Sequence, residues 1–155
     1  MSQTYEIIPG TSIGPFRLGM TRVQIEGLRI DPMESSEDQS WHRFPLSRVD
    51  AHQPAGEVRV GVTIHYDATG HACRLTAIFG YNPSEAPVFS LFGEVVNGMT
   101  DGTVGRLLLS ITNDVEYGYG TVSSASAGLT ANKWEAIDDE IMCINVVPRR
   151  VDPVD

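Results

Sequence analysis

Lysine is nearly missing from this chain. Of its 11 basic residues only Lys133 is a lysine, and they face 20 acidic ones, for a net charge of −9. Such an excess repels polyphosphate backbones and anionic membrane surfaces, so neither nucleic acid nor a membrane is expected as a partner. Cysteine is scarce too. Two in 155 residues make neither a disulfide framework nor a four-ligand zinc site, and a cytoplasmic setting with reduced thiols is expected. No run approaches the ~20 apolar residues of a membrane-spanning helix. The opening MSQTYEIIPG carries neither the basic nor the apolar segment of a secretory signal. Two catalytic signatures are also missing: there is no phosphate loop and no dinucleotide fingerprint. No enzyme activity, cofactor or metal is expected.

What is present supports a packed interior, with 41% hydrophobic residues in a length that suits one domain over 1–155. Gly-Met-Thr is written twice, at Gly19-Met20-Thr21 and at Gly98-Met99-Thr100. Each threonine is placed to cap a helix through its hydroxyl, and Gln24 completes a capping box with Thr21. The first helix is predicted over Arg22 to Leu28, weakened by Gly27. The second carries a stripe of Val104, Leu107, Leu108 and Ile111, with Gly102 and Gly105 as costs. Short apolar stretches, Ile13 to Leu18 and Phe89 to Val96, precede the two triplets as strands or packing arms.

Alternation marks the strands. Val58, Val60, Val62, Ile64 and Tyr66 share one face, with Arg59, Thr63 and His65 opposite. The Asp67–Gly70 turn and the segment HACRLTAIFG then complete a hairpin. In the second half DVEYGYGTV alternates Val115, Tyr117, Tyr119 and Thr121, and AGLTANKWEAI and EIMCINVV flank Asp138-Asp139 as a second hairpin. The segment from Asp31 to Gly56 reads mainly as a loop insertion, with a strand near Trp41 to Leu46. The expected fold is therefore α+β: two tandem helix-plus-antiparallel-sheet repeats, about 5–80 and 88–148, forming one continuous sheet with helices on one face.

The residues Leu18-Gly19-Met20-Thr21 with Val23, and again Gly98-Met99-Thr100, resemble a helix-start motif of outer-membrane assembly lipoproteins and of the tandem-repeat β-lactamase inhibitory proteins. The opening IIPGTSIGPFRLGMTRVQI is similar to bacterial proteins regarded as immunity proteins against secreted toxins. The chain departs from the lipoproteins in lacking their signal and cysteine, and neither helix is followed by the usual Leu-Gly. The resemblance implies a protein-binding inhibitor that occludes the active site of a cognate, basic protein toxin. The alternative is a small-molecule-binding domain or enzyme with its pocket between sheet and helices.

Partner-binding candidates are two acidic clusters, Glu34, Glu37 and Asp38, and Asp138, Asp139 and Glu140, which would steer a basic partner. Tyr117, Tyr119 and Trp134 are the aromatic candidates. Facing the helices they are core, the commoner fate of such side chains; facing the open side they anchor a partner. His65, His71 and Asp67 around the first turn read as solvated groups rather than metal ligands. Cys73 and Cys143 read as small packing residues within apolar strands.

Overall fold

A computed structural model describes residues 4–30, 33–38, 40–45, 61–78, 88–96, 99–133 and 141–150. The architecture is mostly β, in two sheets, and not the single continuous sheet expected. In chain order the elements are β1 (Thr4–Ile8), β2 (Ser12–Ile13), β3 (Phe16–Arg17), α1 (Arg22–Glu26), β4 (Glu34–Ser35), β5 (Trp41–Pro45), β6 (Gly61–Tyr66) and β7 (Ala72–Ile78). They continue with β8 (Val88–Leu91), β9 (Glu94–Val95), α2 (Asp101–Leu109), β10 (Glu116–Gly118), β11 (Thr121–Ser124), β12 (Leu129–Lys133) and β13 (Ile141–Val146).

The larger sheet has eight strands in the order β10, β11, β12, β13, β7, β6, β5, β4, with every neighbouring pair antiparallel. The smaller has five, in the order β3, β2, β1, β8, β9. The apolar stretches ahead of each Gly-Met-Thr supply this second sheet. They are too short to lengthen the meanders, because tight turns fold each back within a few residues. They are joined through β1, which lies outside both stretches: it pairs with β2 and runs parallel to β8, from the Thr4 and Val88 pair to the Ile7 and Leu91 pair. This is what overturns the tandem helix-plus-sheet reading.

Both helices start where the threonines placed them. The Thr21 hydroxyl accepts from Gln24 N and the Gln24 side chain accepts from Thr21 N at 2.9 Å, closing the capping box. Gly27 stops α1 after five residues, two short of the expected end. The Thr100 hydroxyl accepts from Thr103 N at the start of α2. Each helix start is bonded to the beginning of a central strand: Ala72 N donates to Met20 O at 2.8 Å, and Ile141 N donates to Met99 O at 3.0 Å.

One core joins both sheets and both helices. The largest fully buried side chains include Phe16, Phe44, Phe89, Ile25, Leu75 and Leu108. Burying each such side chain contributes about 1.5–3 kcal/mol. Phe16 of the small sheet meets Phe44 of the large one at 4.7 Å between ring centroids. The turns also touch: Gly10 N donates to Gly128 O, and at Gly128 (φ +71°) a Cβ would collide with Val147 O and the Gly10 backbone, so a side chain is excluded there.

Two further expectations change. Asp31–Gly56 is more than a loop with one strand, since both β4 and β5 lie within it. DVEYGYGTV is not one strand. It breaks at a turn, Tyr119-Gly120, into β10 and β11, with Gly120 at φ +79°.

Candidate functional site

Period-two alternation gives the eight-stranded sheet two chemically different faces. The inner face follows the register Phe44, Val62, Ala77, Ile144, Ala131, Val122, Tyr117 across seven strands. The outer face follows Glu34, Arg43, Thr63, Thr76, Asn145, Thr130, Ser123, Glu116 across all eight. A second outer row on one half joins Trp41, His65 and Arg74. The outer face is thus small and polar along its centre, with charge at both edges.

A depression of about 460 Å³ opens on this face, lined by Trp41, Arg43, Thr63, His65, Arg74, Thr76, Ile78, Met142, Cys143 and Asn145. Arg43 lies over the Trp41 ring at 4.8 Å from its centroid and pairs with Glu34 at 3.5 Å. The Thr76 hydroxyl donates to Asn145 Oδ1 at 2.6 Å, which leaves the Asn145 amide N–H groups as donors. Burial, and then the neighbouring Arg74 charge, push the His65 imidazole below its ordinary range, which favours its neutral form. Burial pushes the Cys143 thiol up, which leaves it a poor nucleophile. Cys73 is half-buried on the neighbouring strand, less enclosed than expected.

The expected partner-binding residues do not form one patch. Glu34 lies on the β4 edge, with Glu37 and Asp38 in the turn that follows. Asp38 accepts hydrogen bonds from Ser40 N and Oγ, which hold its carboxyl below the usual range. Tyr117 and Tyr119 lie at the opposite edge, on β10 and in its turn. Seven interstrand spacings of ~4.8 Å put the two edges roughly 34 Å apart. Trp134, Asp138, Asp139 and Glu140 lie outside the described residues.

The aromatic pair divides. Tyr119, 91% exposed, is not core. Tyr117 points to the helix side but lies at its margin, 57% exposed, with its hydroxyl over Gly105 of α2. The single-strand reading put both on one face, and the turn between β10 and β11 separates them. Around the first hairpin, Asp67 accepts from Thr69 N, Thr69 Oγ1 and His71 N. It closes the turn, and no group of three or more metal-binding side chains occurs among the described residues.

Sequence reading missed two polar clusters at the ends of an inner row. At one end His42, 1% exposed, meets the Tyr66 hydroxyl through Nδ1 at 2.6 Å and Glu26 through Nε2 at 3.4 Å. The Arg22 guanidinium lies 5.8 Å from the Tyr66 ring centroid. The available signal was His42 falling in phase with Phe44 on the apolar alternation of β5. At the other end Asp114 accepts from the hydroxyls of Ser124, Thr112 and Ser126 and from Ser126 N, which holds its carboxyl far below the usual range. Both clusters tie a helix or loop to the sheet, and Asp114 and Ser126 also line a depression at the β10 edge with Glu116, Ser123 and Arg150. No family model matches the chain, and neither the curated proteins nor the solved structures yields a match.

Proposed function

We propose that this chain is a protein-binding inhibitor of the immunity type, which occludes the active site of a cognate bacterial toxin with the outer face of its eight-stranded sheet. The observation that carries this reading is the outer row itself: polar side chains in unbroken register across eight strands, framed by Trp41, Arg43 and Arg74. A face roughly 34 Å wide accommodates a standard interface of about 800 Å² per partner. The interior between the sheets is filled by Phe16, Phe44 and Phe89, which favours a surface partner over a ligand held between sheet and helices. The net charge of −9 favours a basic partner through long-range attraction.

The test pairs capture with protection. The full chain should retain a protein from its host's lysate, and co-expression should rescue cells from that protein's toxicity. Thr130→Arg, within the outer row, should remove both while leaving the melting temperature within a few degrees. Protection unchanged in Thr130→Arg would move the interface elsewhere. A small molecule that raises the melting temperature, with no protein retained, would replace this reading with the pocket alternative.

A further inference from the structure

The outer depression runs against the charge of the rest of the chain. Acidic residues outnumber basic ones by 20 to 11, yet the depression is lined by two arginines and a histidine, and among the described residues by no aspartate or glutamate. Among the other described cations, Lys133 pairs with Asp101 at 3.5 Å, Arg149 donates to Pro9 O at 3.2 Å and Arg22 lies against Tyr66. In the depression Glu34 at the rim pairs with Arg43. Arg74 has no carboxylate within ion-pair distance among the described residues. The register sets it directly beside His65, which is itself beside Trp41. The Asn145 amide, fixed by its bond from Thr76, adds an oriented neutral donor.

We propose that this depression is a receptor for a single carboxylate, the side chain of a glutamate or aspartate on the protein partner. Arg74 donates to the carboxylate and His65 and Asn145 flank it, while Trp41, Ile78 and Met142 cover its aliphatic stem. The source of the carboxylate rests on the protein-binding reading; the site itself does not. A volume of about 460 Å³ lies within the ~300–1,000 Å³ range of small-ligand sites, so a side chain and its stem fit. A partner can be basic overall, hence attracted by the net charge, and still present a carboxylate at the surface being covered.

The experiment uses the full free chain and three probes at matched ionic strength: sodium chloride, sodium butyrate and the capped peptide acetyl-Ala-Glu-Ala-amide. Binding is read by NMR at the Trp41 indole N–H and the His65 ring. The groups facing His65 are Trp41 on β5 and Arg74 on β7, with Arg43 and Cys143 lining the same depression. A bound carboxylate beside these groups should raise the His65 titration midpoint by about one pH unit at saturation.

Both carboxylate probes should saturate and chloride should not. Arg74→Gln should weaken binding at least tenfold, and Arg74→Lys should recover part of it. Arg74 is exposed, so these variants should keep the wild-type melting temperature. A peptide that binds no more weakly than butyrate supports the polypeptide source, and tighter butyrate binding overturns it. No saturable shift, a chloride effect equal to that of carboxylate, or unchanged binding in Arg74→Gln overturns the site, whatever the capture experiment returns.

Discussion

Gly105 and Tyr117 show how a single atom sorts core from surface. Helical Gly usually costs about 1 kcal/mol against Ala, so Gly105→Ala would ordinarily stabilise α2. Here the added Cβ meets the Tyr117 hydroxyl, which must swing away, so the gain should be smaller than usual, and Gly105→Ala should give its full gain in a Tyr117→Ala background. Tyr117→Ala alone should lower the melting temperature. Tyr119→Ala should not, since that side chain is 91% exposed. If Tyr119 is an anchor, its loss instead speeds partner dissociation, by about 2 kcal/mol in binding energy. His42 makes a different prediction. Burial, with a smaller effect from Arg22, lowers its folded-state pKa below the ordinary 6.5. The unfolded chain therefore binds the proton more readily, and stability is complete above about pH 7 and declines as pH falls through 6.5. His65 is shifted the same way. Urea midpoints measured between pH 8 and pH 5 should fall in wild type and flatten in His42→Gln. The hydrogen-bonded carboxylates Asp38, Asp67 and Asp114 are shifted down, so their contributions are lost only at lower pH, below about 4.

Among the elements, the helix starts were legible because a cap is local chemistry. Thr21→Ala and Thr100→Ala should each cost about 1 kcal/mol by chemical denaturation. The β8 to β9 hairpin was not legible as such. Its two-residue loop holds Phe92 at φ +52° and Gly93 at φ +80°, where Asn-Gly is the favoured pair. Left-handed backbone costs a bulky residue about 1–2 kcal/mol. Phe92→Asn should therefore stabilise the chain by about 1 kcal/mol, seen as a higher melting temperature. The β6 and β7 hairpin was readable from alternation and its turn, and the pairing of β12 with β13 from their apolar segments; the Asp138-Asp139 turn lies outside the described residues. DVEYGYGTV misled because a turn of even length preserves the period of two across it. Tyr117 and Tyr119 then look like neighbours on one face when a corner lies between them.

Across the whole molecule, charge acts at long range and in opposition to the local depression. Glu37→Gln with Asp38→Asn should slow association with a basic partner and flatten its salt dependence, while dissociation changes less. Such attraction is screened over ~8 Å at physiological ionic strength. The Arg74 variants should do the reverse, changing dissociation more than association. Stopped-flow kinetics at two salt concentrations separate the two. The two edges of the sheet lie roughly 34 Å apart, so the acidic turn and the tyrosines are not expected to couple; their effects on binding should add.

Period and caps act over a few residues, and the order of residues alone decided where α1 and α2 begin and that β6 and β7 alternate across their turn. Whether the apolar arms would join the main sheet or form their own depended on the parallel pairing of β1 with β8, some eighty residues apart, which no local pattern encodes. The outer depression likewise exists only because registers set independently between β5, β6, β7 and β13 bring Trp41, His65, Arg74 and Asn145 onto one face. Those registers are fixed by burial of the opposite face, where Phe44, Val62, Ala77 and Ile144 must all reach the same core.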